Sequence, residues 1–124
     1  MRSSGLLLLP AFLTACGTVT SADRLTEDRR QFTQTLIRQI ELGQCPRLEE
    51  CLSRYVAQVR ARAAEVNYSM SSGDELVFRE ALQLAKDVDA GSITRSKAVD
   101  TLRVLDALVE SAYQAERGTL RQSP

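Results

Sequence analysis

The sequence predicts an all-α fold, a small up-down helical bundle of four helices, on three observations. Apolar residues recur at steps of three and four in four successive segments, the spacing that lines one face of a helix. The segments are punctuated by residues that start and stop helices: Gly43, Pro46, Ser72, Gly91, Thr94 and Gly118. No stretch alternates with period two, and no Asn-Gly hairpin turn occurs. Short connections favour antiparallel neighbours. A three-helix core with the first helix detached is the alternative. Each helix alone is marginal in water, so packing must hold it.

The first segment runs from Ala22 to Leu42, with Leu25, Phe32, Leu36, Ile37 and Ile40 on one face. Asp23, Glu27 and Asp28 crowd its first turns, where the positive end of the helix dipole favours them. Gly43 offers a left-handed stop. The second segment begins around Pro46, and Leu48, Leu52, Tyr55, Val59, Ala63 and Val66 form the clearest stripe in the chain. Glu49 and Glu50 near its start, and Arg60 and Arg62 toward its end, complement the dipole, so the arginine pair is assigned to helix stability rather than to a ligand.

A polar break, "YSMSSGDE", precedes the third segment, where Ser72 and Glu75 have the spacing of a capping box. Val77, Phe78, Ala81, Leu84, Ala85 and Val88 then face inward, and Gly91 ends the helix. Ile93 and Thr94 read as staple and N-cap of the fourth helix, with Ala98, Leu102, Leu105, Val109 and Ala112 inward and a stop at Gly118. The domain organisation expected is therefore a signal peptide over 1–15, a tether over 16–21, a helical domain over 22–118 and a flexible tail over 119–124.

The N-terminal boundaries come from "GLLLLPAFLTACG". Its apolar run, Leu6 to Leu13, holds eight residues and contains Pro10. A membrane span needs about twenty. Arg2, the leucine block and the small residues after it instead follow the order of an export signal. Leu13-Thr14-Ala15-Cys16 resembles the lipobox of bacterial lipoproteins. The resemblance implies that Cys16 is diacylglycerated and becomes the first residue of the mature chain, which is then membrane-bound through its acyl chains. One acyl chain binds membranes only marginally, so stable anchoring takes two or more. Gly17, rather than aspartate, follows the cysteine, which by the sorting rule of enteric bacteria implies the inner leaflet of the outer membrane rather than the inner membrane.

Removal of residues 1–15 from the 124-residue chain leaves 109, enough for one small domain. The sixteen acidic residues all stay, and fifteen of the sixteen basic ones, a balance that offers no electrostatic case for nucleic acid. Cys45 and Cys51 remain besides Cys16, and in an exported chain such a pair reads as a disulfide. Two thiols without histidine supply half of a tetrahedral zinc set, so no metal is expected.

The pair also constrains the second helix. If Pro46 is the first helical residue, Cys51 lies about 9 Å along the axis from Cys45. A disulfide needs Cα atoms within about 7 Å. The bridge and a helix starting at Pro46 exclude one another, and the reading adopted is a start nearer Leu48 or Glu49, with Cys45 folded back over the first turn.

Other constellations are rejected on residue chemistry. A calcium loop over Lys86 to Lys97 with Gly91 at its sixth position puts Lys86, Val88, Ala90 and Lys97 where oxygen ligands are required. Asp87 and Asp89 read as solvated carboxylates near a helix end. There is no histidine, no Gly-x-Ser-x-Gly elbow and no phosphate-cradling glycine loop. No catalytic residue and no cofactor is therefore assigned, and the chain is expected not to be an enzyme.

The expected function is a membrane-anchored, periplasm-facing helical lipoprotein that acts as a non-catalytic protein-interaction or envelope-assembly module, with one groove between helices open to a partner helix. Pilotins of bacterial secretion systems are similar in class and size, without a motif that matches residue by residue. A plasmid- or phage-type exclusion or lysis lipoprotein is the alternative. A murein-type lipoprotein, one long heptad helix ending in lysine, is disfavoured by the interrupting glycines and by Ser123-Pro124 at the C-terminus.

Overall fold

The structure, a computed structural model, describes the backbone of residues 20–122 and the side chains of residues 20–111. The expected signal peptide, the lipidation of Cys16 and most of the tether lie outside the described residues, as does the burial of Ala112. Within them the fold is all-α: α1 (Ser21–Glu41), α2 (Leu48–Glu65), α3 (Ser72–Asp89) and α4 (Arg95–Gln122). Each helix packs on its sequence neighbours, and α4 closes the ring against α1. The first helix is an integral member of the bundle, which overturns the detached alternative. No described helix is long and apolar enough to cross a membrane.

The up-down order gives the bundle two ends. The Thr20 end gathers the N-termini of α1 and α3 and the C-terminus of α2. The disulfide end gathers the connection Leu42–Arg47, the start of α2, the end of α3 and the start of α4.

Local chemistry explains the element boundaries. Thr20 caps α1 through a capping box with Asp23, so the helix begins one residue before Ala22. At its end Gly43 takes φ +73°, and the Gln44 N–H reaches back to the Gln39 carbonyl, a closing bond that the left-handed residue permits. Asn67, at φ 57°, plays the same part after α2, with Tyr68 N–H bonded to the Ala63 carbonyl. Asparagine tolerates the left-handed region better than most side chains do.

Two expected boundaries shift. The cap of α3 is Ser71 with Asp74, not Ser72 with Glu75, and Ser72 is the first helical residue. The fourth helix runs through Gly118 to Gln122 rather than stopping there. An interior glycine costs a helix about 1 kcal/mol and does not by itself end one. The expected tail over 119–124 is thus helical as far as Gln122.

The second helix begins at Leu48, as the geometry of the cysteine pair requires. Cys45 and Cys51 are bridged with their Cα atoms 6.0 Å apart, and Cys45 lies over the first turn of α2. Both are buried.

The core falls into two clusters. At the disulfide end, Leu36, Ile37 and Ile40 of α1 meet Cys45, Leu48, Cys51 and Leu52, Ala81 and Ala85 of α3, and Ala98, Val99 and Leu102 of α4. Toward the Thr20 end, Leu25, Val56, Val59, Ala63, Val66 and Phe78 pack together. That second cluster takes no described residue from α4. Among the described residues it is thus built by three helices.

Candidate functional site

The gap beside the second cluster is a cleft of about 290 Å³ between α1, α3 and α4. Ala22, Leu25, Thr26, Arg29 and Arg30 line it from α1, Gly73, Asp74 and Val77 from α3, and Asp106, Leu108, Val109 and Glu110 from α4, with Tyr68 and Ser71 at its edge. Leu108 is 61% exposed at the rim. Val77 and Val109, expected as core, are only half-buried because the cleft opens beside them.

A polar network forms one side. Arg29 is buried at 7% exposure, on the face of α1 that Leu25, Leu36 and Ile40 make apolar. Its guanidinium donates to Asp74 Oδ1 at 3.2 Å and stacks over the Phe78 ring with 5.2 Å to the centroid. Asp74 also accepts from the Tyr68 hydroxyl at 3.0 Å and from the backbone N–H and hydroxyl of Ser71, both at 2.9 Å. Burial disfavours the Asp74 carboxylate, but these donors and the Arg29 cation outweigh it and hold its pKa below the ordinary value. A buried charge is tolerable only when paired and hydrogen-bonded, and Asp74 supplies both for Arg29.

Thr33, one turn on from Arg29, donates its hydroxyl to the Arg29 carbonyl at 2.9 Å and shares a 2.8 Å hydrogen bond with the Tyr55 hydroxyl. On the opposite wall, burial pushes the pKa of Asp106 above the ordinary value; Arg29, Arg30 and the Thr33 hydroxyl counter this only in part, and Glu110 adds to it. Arg30 bonds Glu110 at 2.6 Å and Arg29 bonds Asp74, so no ion pair engages Asp106 among the described residues.

Several polar residues have parts that the sequence reading did not assign. Arg60 does not merely offset a helix dipole. It grips Glu75 with both terminal nitrogens and covers the Phe78 ring with 5.1 Å to the centroid, tying α2 to α3. Arg62 bonds Asp28 of α1 and Glu65. Asp89 is not simply a solvated carboxylate: its two oxygens accept the backbone N–H groups of Leu48 at 2.8 Å and Glu49 at 2.9 Å, so the end of α3 caps the start of α2. Burial opposes ionisation of Asp89, but the donation from Glu49 and Leu48 prevails and its pKa is lowered.

Cys45 and Cys51 lie at the far end of the bundle from the cleft. There Arg95 of α4 donates to the Cys45 and Pro46 carbonyls and holds the bridged connection in place. Among the described residues no group of three His, Cys, Asp or Glu is arranged to hold a metal ion. What the cleft provides is an apolar surface beside a charged wall. No protein-family model, curated protein or solved structure matches the chain.

Proposed function

We propose that the protein is a lipoprotein anchored through Cys16 and facing the periplasm, from the inner leaflet of the outer membrane, where its bundle serves as a non-catalytic docking module in envelope assembly, a role similar in kind to that of a pilotin. The observation that carries the reading is the position of the cleft. It opens at the Thr20 end, and Thr20 is four residues from Cys16. Four residues reach at most about 14 Å. A chain anchored at Cys16 therefore presents this end, and the cleft with it, close to the lipid surface.

Two further features support the reading. A buried Cys45–Cys51 bridge suits an oxidising compartment outside the cytosol. The cleft has the shape and apolar lining by which helical proteins receive partners. Cells fed a fatty-acid analogue should label the wild-type chain and not Cys16→Ser, and the substituted chain should leave the outer-membrane fraction. Equal labelling of both overturns the anchoring. A purified bundle that hydrolyses a cell-wall or lipid substrate at an ordinary enzymatic rate overturns the non-catalytic assignment.

A further inference from the structure

We infer that the cleft between α1, α3 and α4 receives a helix of another protein that inserts a large apolar side chain between Val77 and Leu108 and, one turn away, sets a lysine or arginine against Asp106. The inference rests on the reading of the bundle as a docking module and adds to it the chemistry of the partner.

The apolar half of the requirement follows from the make-up of the cluster beside the cleft. Among the described residues the cluster around Phe78 draws on α1, α2 and α3, while α4 carries Leu108 at 61% exposure and Val77 is half-buried. The open volume of about 290 Å³ is suited to large side chains entering from outside. A groove between two helices accepts a third by interleaving side chains at an axial separation of 8–10 Å. An extended segment would bring its backbone N–H and C=O groups against helix faces that offer them no ladder of partners. The occupant is accordingly a helix.

The charged half follows from a count of the lining. Among the described residues its charged members are Arg29, Arg30, Asp74, Asp106 and Glu110. Arg29 is committed to Asp74 at 3.2 Å and Arg30 to Glu110 at 2.6 Å, which leaves one negative charge, on Asp106, without an ion pair among the described residues. Burial opposes its ionisation more than Arg29, Arg30 and the Thr33 hydroxyl relieve it, and Glu110 adds to the opposition, so a cation brought to it is favoured and a second anion is not. The same commitments deny both arginines to a phosphate or an anionic headgroup. Leu108 and Val109 follow Asp106 within one turn of α4, so the matching residues on a partner helix stand three or four positions apart.

Two synthetic helical peptides of about four turns test the inference. They share a leucine stripe and differ only in carrying lysine or glutamate one turn from it. Each is titrated into the full-length mature chain bearing Cys16→Ser, followed by amide chemical shifts. The lysine peptide should bind, shift the amides around Val77, Leu108 and Val109, and lose about tenfold in affinity against Asp106→Asn, as expected for a charge-assisted contact. The glutamate peptide should bind at least about tenfold more weakly than the lysine peptide. Leu108→Ser, a change at an exposed position, should weaken the lysine peptide while the unfolding midpoint stays in place.

Equal binding of the two peptides, equal binding to wild type and Asp106→Asn, or shifts away from the cleft would each overturn the inference. So would a dimer in sedimentation that excludes the lysine peptide, since the occupant would then be a second copy. Fatty-acid labelling at Cys16 distinguishes the two failures: a labelled chain whose cleft ignores both peptides is still an anchored lipoprotein, with its docking surface elsewhere.

Discussion

At the disulfide end all four helices contribute to one apolar cluster; at the Thr20 end the cluster is built, among the described residues, by three, and α4 lines a cleft with Val77. The first end is closed in three ways: a covalent bridge, the Asp89 cap from α3 onto α2, and the reach of Arg95 from α4 to the Cys45 and Pro46 carbonyls. The second adds directional polar contacts around Arg29 and Asp74 to its smaller apolar cluster. Apolar burial contributes stability roughly in proportion to area, whereas a buried polar network contributes mainly when every member is satisfied. A small helical protein can leave a surface open beside a cluster that draws on fewer of its helices. Regions with fewer apolar contacts also open locally at lower free-energy cost.

The largest effect should come from the closed end. Leu48 is 0% exposed, and Leu48→Ala leaves a cavity among Cys51, Leu52 and Ala85; a loss of about 3 kcal/mol is expected. Leu108→Ala, at the rim of the cleft, should move stability by less than about 0.5 kcal/mol. Urea unfolding of the two variants measures the contrast between the closed core and the cleft rim, and losses of equal size would mean that Leu108 is not a free rim residue.

Replacing Cys45 by serine comes next. Closing so short a loop is worth about 2 kcal/mol in the chain-entropy model, and Cys45→Ser should lose about that much. Wild type under reducing conditions should fall to nearly the same midpoint. Mass spectrometry of nonreduced tryptic peptides, with cleavage after Arg47, should recover Cys45 and Cys51 on two peptides joined by a reducible link. Free thiols at both positions would remove the covalent part of the contrast.

A third measurement concerns the start of α3, on the cleft side. Ser71→Ala should cost about 1 kcal/mol, because the Ser71 hydroxyl accepts from the Asp74 N–H at 3.1 Å and also donates to the Asp74 carboxylate. Ser72→Ala, one residue on and already inside the helix, should cost little. The reverse ranking in thermal denaturation would put the cap back where the sequence alone suggested it.

That cap illustrates what was legible in the sequence. Periodicity identified four helices and the stripe of α2, of which Leu48, Leu52, Val59, Ala63 and Val66 are buried and Tyr55 half-buried. Distance limits on Cys45 and Cys51 were enough to move the start of α2 from Pro46 to Leu48. The α3 boundary was ambiguous because Ser71-Ser72 and Asp74-Glu75 offer the same capping spacing in two registers one residue apart. What separates them is nonlocal: Tyr68 and Arg29 also converge on Asp74.

The cleft was harder to see. A groove between helices was expected, but not where. Arg29 and Thr33 interrupt the apolar face of α1, and that polar break was its only local signal. The role of Asp89 had a signal of another kind: Arg47, which precedes α2, is not one of the residue types that cap a helix start, and the structure supplies the cap from Asp89 instead. Which residue lends it depends on how α3 ends against α2, and periodicity carries no such information.

The smallest effect, and the one with the least ordinary sign, belongs to Asp106. Its folded pKa is raised, chiefly by burial, so above that pKa the folded chain carries an ionised carboxylate that is less comfortable than in the unfolded chain. As pH falls through the raised value, the folded state takes up its proton before the unfolded state does, and the penalty disappears. Asp106→Asn should therefore be slightly more stable than wild type at neutral pH, by under about 1 kcal/mol, with the advantage vanishing on acidification. Asp74 has the opposite sign: its lowered pKa contributes stability present above the ordinary carboxylate range and lost as pH falls through the folded value. Asp74→Asn should accordingly destabilise at neutral pH and lose that effect only at lower pH than Asp106→Asn does. Thermal midpoints of wild type and both variants across the acidic range measure the two signs on facing walls of one cleft. If Asp106→Asn proved less stable than wild type at neutral pH, the carboxylate would be held in place by a favourable contact, and the cleft would have no charge left over to recruit a partner.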